Sequence, residues 1–490
     1  MTYSRRMLTF LLALGLMLSG MAYAGSAQAD DVVSLSYYYS VASSPDVEMV
    51  QDAINEITRE TIGAEVKLYP IHPSDYVQKM QVMLSAGEEL DLCFTADWKL
   101  PYTSNATKGC FADITDLLPE LAPVTWSQYS EDLWNAVRIN GRIYASINRQ
   151  VFARQSGFAL RQDMVEKYNF DAKAVTKLSD LGDFMALVKE GEDPAATQRL
   201  FSYTFANWKA FQYMYYNYGW ENIGDATAPG SVRSLDEAPV VFNEYDTDEF
   251  RDFITTCADF AAKGYIPANE LTQPTVDDTV SVCGVLSTYS PSCVDGTVNG
   301  YFDAPAVYVP VGKPIITTSN ATATMTAVGA TSRHVDKAVQ FIEQLNANAD
   351  VYHLISYGIR GTHYDLDEKG MYYKLQETVT YSAPSYMFGD TWNAFIAQGG
   401  DPEQIEKSKL LNETADVSRL MGFIFDAANV TTEIANCSAV TNEYMPTFAT
   451  GGFGDKTQQS YEEFLKKLDA AGAQRVLEEK QRQVDQFLVN

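Results

Sequence analysis

A strand–helix–strand–helix–strand run over residues 32–94 constrains this chain most, because such alternation closes only as a sheet with helices on its faces. Residues 32–38 read as a strand. A helix follows, with Ser44 suited to the N-cap, Pro45 to the first helical position, and Asp46 and Glu48 to the positive end of the dipole. Val47, Val50, Ile54 and Ile57 share one helical face, and Gly63 ends the element. The spacing predicts a second strand over 64–69, with Ala64, Val66 and Leu68 inward, a helix over 75–85 stopped by Gly87, and a third strand over 90–94. Right-handed crossovers then give a parallel sheet covered on both sides. Ligands on such sheets bind beyond the carboxyl ends of the strands, which for the third strand means Thr95, Ala96, Asp97 and Trp98.

Further along, Asn140-Gly141 marks a hairpin turn within 138–147. Helices are expected over 160–168, over 178–189 with Ser179 as cap, over 250–263 before Gly264, and over 336–345. Residues 281–288 read as a strand, 300–318 as extended, and 191–245 as loop-rich with Trp208, Trp220 and several tyrosines. Two stripes, one of Phe464, Leu465 and Leu468 and one of Val476, Val484 and Phe487, make the C-terminus helical.

The first 29 residues have the three parts of a secretory signal: Arg5 and Arg6, an apolar run from Met7 to Leu18, and small residues ending at Ala29. Cleavage is expected after Ala29. Leu18-Ser19-Gly20 resembles the front of a lipoprotein signal, but Met21 stands where the lipidated cysteine belongs, so the chain is expected to be exported without a lipid anchor. The formal charge of the whole chain is -28; removing the leader's two arginines leaves 34 basic against 64 acidic residues, or -30. Such a balance argues against nucleic acid and anionic membranes as partners. Six cysteines in 490 residues make no disulfide scaffold, although Cys283 and Cys293 are close enough in sequence to close a short loop. Cys93 reads as a buried thiol. With no C-x-x-C pair and only four scattered histidines, neither a metal nor a cofactor is expected.

The motif YGIRGTHY at 357–364 resembles extracellular solute-binding proteins of ABC importers, in the large sugar-handling group (family 1). Its relatives here are the lipoprotein-like branch with a C-terminal domain of unknown function. LSAGEELDL at 84–92, VRINGRIYA at 137–145 and LRQDMVEKY at 160–168 resemble that branch in the same order. So do MGFIFD at 421–426, TEIA at 432–435, LDAAG at 468–472 and EKQ at 479–481. The resemblance implies an α/β, two-lobed periplasmic-binding-protein fold of type II, each lobe a mainly parallel sheet flanked by helices, with a ligand cleft between. It divides the chain into a leader (1–29), a first lobe (30–148 and 317–350) and a second lobe (149–316 and 351–490, the latter holding the C-terminal helical domain). Crossings between lobes would fall near 143–148, 314–318 and 355–361. It also implies a monomeric receptor, working in the periplasm, that hands its ligand to the membrane subunits of an ABC permease.

A sugar presents paired hydroxyls and an apolar C–H face, so its site needs aromatic platforms and planar polar side chains in a closing cleft. Trp98 and Asp97 past the third strand, and Tyr37 and Tyr39 at the end of the first, are candidates from position. Trp208 and Trp392 are candidates as loop aromatics, and Arg149, Arg360 and His363 as polar groups at presumed crossings. For each the alternative is a packing role; Gly358 and Gly361, for instance, suit a motif that exists to hold backbone geometry. An oligosaccharide receptor is therefore the leading expectation, against a receptor for a peptide or small anion. No G-x-S-x-G, H-E-x-x-H, P-loop or dinucleotide motif supports a secreted polysaccharide-active enzyme, and no enzyme is expected.

Overall fold

The first five elements form where alternation places them. The computed structural model describes residues 32–489 apart from 43, 195–196, 198–199, 203–210, 212–213, 272–280, 287–301, 303 and 376–379. Strand β1 is Val33–Ser40, β2 Ala64–Ile71, β3 Leu92–Thr95, β4 Ala145–Ile147 and β5 Arg154–Arg161. Then come β6 Phe201–Ser202, β7 Cys283–Leu286, β8 Ala306–Ile316, β9 Met325–Val328 and β10 Asp416–Val417.

Two five-stranded sheets result among the described residues, ordered β2-β1-β3-β9-β4 and β10-β8-β5-β7-β6. Each sits in its own core. Each sheet is mainly parallel, as expected, with four strands running one way and a single one reversed, β9 in the first and β5 in the second. In the first, β1 is parallel to β2 and β3, while β9 runs antiparallel to both β3 and β4. The second joins β10 to β8 and β6 to β7 in parallel, with β5 antiparallel to β8 and β7. The reversed strands, β5 and β9, are the two on which the chain steps directly from one sheet into the other, without the helical crossover that links consecutive parallel strands of one sheet.

Local punctuation accounts for most of the remaining differences. The first helix spans Val47–Ile62 and starts beyond Ser44 and Pro45; Gly63 caps it in the left-handed region at φ 64°. Asn140 (φ 52°) and Gly141 (φ 79°) make the predicted tight turn, closed by Ile139 and Arg142. Its far arm becomes β4 and pairs with β9 rather than forming a hairpin. Leu160 belongs to β5, and the helix expected from it is only Gln162–Lys167. Residues 178–180 form a 3-10 turn ahead of the helix Leu181–Gly191, so Ser179 is not its cap. Thr247 caps the helix Asp248–Ala262, its side chain accepting from the Phe250 amide.

The first core takes residues of 35–153 and 316–355, and also Tyr381, Met387 and Phe388; the second takes residues of 158–285, Val309 and residues of 430–476. Val351, Tyr352 and Ile355 thus pack in the first lobe, where the boundary at 351 had assigned them to the second. The chain passes between sheets from β4 to β5, from β8 to β9, and a third time into β10 through the helix Gln404–Thr414. The third passage is therefore near 412–418, not at 355–361.

The 357–364 motif does something else. Gly358 ends the helix Ala349–Tyr357 at φ 82°, and a Cβ there would lie 2.5 Å from Nδ1 of His363. That nitrogen accepts the Ile359 amide at 2.8 Å. Gly358→Ala is expected to destabilise the protein by about 2 kcal/mol through backbone strain and the clash with His363, with ligand affinity unchanged. Chemical denaturation beside a binding titration checks both halves.

Candidate functional site

Strand β3 ends at Thr95, and a short turn closed between Ala96 and Leu100 carries Asp97 and Trp98 out of the sheet. Trp98 is 56% exposed, the most exposed of the tryptophans among the described residues. Among the described residues its side chain is held at two places. Its Nε1 donates to the Ala323 carbonyl at 2.6 Å, and its ring meets Phe94 edge-on at 6.0 Å. More than half of an oriented indole is thereby left uncovered, and an exposed aromatic surface is what a sugar C–H face packs against. Asp97 accepts a hydrogen bond from the Thr322 hydroxyl. Crowding by surrounding protein raises its carboxyl above the usual range, against the lowering effect of that bond.

Thr322, Ala323 and Thr324 are buried where the chain has just returned from the second lobe. The side-chain amide of Gln150, on the first interlobe segment, donates to the Thr324 hydroxyl. Asn320 on the returning segment donates to the Tyr216 hydroxyl of the second lobe at 3.4 Å. The first lobe thus offers an aromatic ring and a carboxylate, and the returning segment that holds them also binds the Gln150 amide of the interlobe segment and, through Asn320, the Tyr216 hydroxyl of the second lobe. Hydroxyl-rich neutral ligands suit such a set.

Several of the sequence candidates lie elsewhere. Tyr37 and Tyr39 are fully buried in the first core, 0% and 1% exposed, against Phe341 and Phe388. This corrects their reading as ligand-facing: alternation sends both to the face that the helix Val335–Ala347 covers, while Tyr38, on the opposite face, stacks on Tyr69 at 4.6 Å. His363 is buried, with Nε2 3.2 Å from Asp46, at the start of the helix Val47–Ile62. Arg360 is exposed and paired to Asp365 at 2.8 Å. Neither joins Trp98, because the motif that carries them is not an interlobe passage. Trp208 and Cys293 lie outside the described residues; Cys283 is a buried thiol whose Sγ faces the Leu200 carbonyl at 3.8 Å.

Arg149 and Trp392 do come together, in a cavity of about 320 Å³. Arg149 pairs with Asp390 at 3.3 Å, and its backbone bonds reach Gly389 and Thr391. Successive residues of an extended segment point to opposite sides. Arg149 accordingly faces this cavity while Gln150 faces Thr324. Sequence position alone missed Gln150, Asn320, Tyr216 and the Thr322–Thr324 turn. Two of them had a signal: Gln150 its place beside a predicted crossing, and Tyr216 its place in a tyrosine-rich stretch.

Comparison with known proteins bears on the fold. Residues 419–489 match a family model described as "Domain of unknown function (DUF3502)". A Streptococcus pneumoniae protein named carbohydrate ABC transporter substrate-binding protein is 25% identical over 470 residues, covering 92% of this chain and 90% of that protein. Among solved structures, the N-glycan transport solute binding protein NgtS of Streptococcus pneumoniae superposes with a TM-score of 0.82 at 22% identity, covering 94% of this chain and 99% of its own. The same protein in complex with Man5GlcNAc superposes at 0.69, again at 22% identity and covering 94% of this chain and 99% of its own. The fold is that of two-lobed solute-binding proteins.

Proposed function

We propose, from the premise of a two-lobed solute-binding fold, that this chain is the receptor of an ABC import system for a carbohydrate. It captures an oligosaccharide by lobe closure and delivers it to a membrane permease. The observation that carries this reading is the exposed indole of Trp98, beside Asp97 just past the carboxyl end of β3 and bonded to the segment returning from the second lobe. The carbohydrate-binding relatives support the same ligand class. The lower TM-score against glycan-bound NgtS supports lobes that stand apart here and swing together on binding.

A calorimetric titration against mannose- and N-acetylglucosamine-containing oligosaccharides tests the reading. Saturable binding with the sugar recovered intact supports it. Release of shortened sugars would replace it with an enzyme, and binding of peptides alone would favour the peptide receptor. The leader-like segment and Met21 support work in the periplasm without a lipid. Mass spectrometry of the exported protein should find an unmodified chain starting near Asp30, and a lipidated N-terminus would overturn that placement.

A further inference from the structure

Between β4 and β5, residues 148–153 lie outside both sheets, so their backbone groups need partners elsewhere. The first lobe supplies those of residues 148 and 149. The Asn148 amide donates to Thr324, the Arg149 amide donates to Gly389, and the Arg149 carbonyl accepts from Thr391. Beyond Arg149 the partner changes to one side chain, Asn412. Its Oδ1 accepts the amides of Phe152 at 2.8 Å and Ala153 at 3.0 Å, and its Nδ2 donates to the Gln150 carbonyl at 2.9 Å.

Asn412 sits near the end of the helix Gln404–Thr414, on the third passage into β10, which pairs with β8 of the second sheet. One residue thus joins two interlobe passages more than 250 positions apart in sequence. It also fixes the backbone of Gln150, whose side chain reaches Thr324 in the cleft. Asparagine is suited to this because a single acceptor oxygen takes two adjacent amides while the nitrogen donates; aspartate keeps only the acceptor and leucine keeps neither.

We propose that Asn412 yokes the first and third interlobe passages into one moving unit and so positions Gln150 for ligand capture. The capture half of this rests on the receptor reading above; the yoke does not. Hydrogen exchange of the full chain, resolved at 150–153 and 412–418, is compared for wild type, Asn412→Leu and Asn412→Asp, beside calorimetric affinity for a mannose-containing oligosaccharide. Asn412→Leu is expected to speed exchange at Phe152 and Ala153 about tenfold or more, as two amides lose their acceptor. Affinity should fall about tenfold, a modest loss because Gln150 is displaced rather than removed. Asn412→Asp should keep most of the protection at 152 and 153 and bind with intermediate affinity, and it answers the question if the leucine variant does not fold. Unchanged exchange at 152–153 in Asn412→Leu overturns the yoke. Faster exchange with unchanged affinity overturns the positioning role. A wild type that binds no glycan sinks the receptor reading, and exchange alone then decides the yoke.

Discussion

Trp98→Ala is expected to weaken oligosaccharide binding about thirtyfold while leaving the unfolding midpoint nearly unchanged. Burying an aromatic side chain against a ligand contributes about 2 kcal/mol, and 1.4 kcal/mol is a factor of ten in affinity. The unbound protein loses little, since Trp98 is 56% exposed, touches Phe94 only by an edge and makes one hydrogen bond to Ala323. Trp98→Phe should recover part of the affinity, because a flat ring remains although the bond to Ala323 is lost. Calorimetry and thermal unfolding measured on the same preparations test this. An affinity within twofold of wild type in Trp98→Ala would remove this residue from the site. A large drop in the unfolding midpoint would assign it to packing.

Lys480→Met is expected to produce the opposite pattern, a loss of about 3 kcal/mol of stability with little change in affinity. Lys480 is 0% exposed, and its Nζ donates to the carbonyls of Ala228 at 3.3 Å and Pro229 at 2.9 Å. One residue on, the Gly230 amide donates to buried Glu244, which also takes the Tyr215 hydroxyl and the Asn222 side-chain amide. The 228–230 turn therefore separates a buried cation from a buried carboxylate, and removing the cation leaves the carbonyls without their donor and Glu244 without an opposite charge nearby. Restoring charge balance with Glu244→Gln in the same chain should return part of the loss, which a double-mutant cycle reads directly.

Burial pushes the Lys480 ammonium down to about 8, with the Glu244 charge acting in the other direction. In this window the unfolded chain binds the proton that the folded chain has released, so this group's contribution to stability rises as pH goes from about 8 to 10.5. Denaturant titrations across that range should show the wild type gaining relative to Lys480→Met. An equal pH dependence in the two proteins would show that Lys480 is not the titrating group.

Legibility in the sequence followed how local the cause was. The run over 32–94 was readable because apolar spacing and the glycine caps at Gly63 and Gly87 act within one element. Asn140-Gly141 was readable as a turn for the same reason, but its far arm was not, since β4 chooses β9, some 180 residues away, over its own neighbour. Tyr37, Tyr38 and Tyr39 were readable as alternating; which face would be covered depended on the distant helix Val335–Ala347. Lys480 stood inside a recognised motif, yet nothing near it in sequence announces the turn at 228–230 that it holds.

By itself, then, the sequence determined the α/β class, the first three strands with their helices, and Trp98 and Asp97 as residues just beyond the end of the third strand. Only the tertiary structure decided that the sheets are mixed, that Tyr37, Tyr39 and His363 belong to a core, and that the third interlobe passage runs near 412–418. It alone joined Trp98 and Asp97 to the 322–324 turn, and that returning segment in turn to Gln150 and Tyr216. The physical reason is separation along the chain. Periodicity and capping energies act over a few residues, whereas a cleft between lobes is built by hydrogen bonds and packing between segments 100 to 260 residues apart, as Asn320 with Tyr216 and Asn412 with Phe152 illustrate.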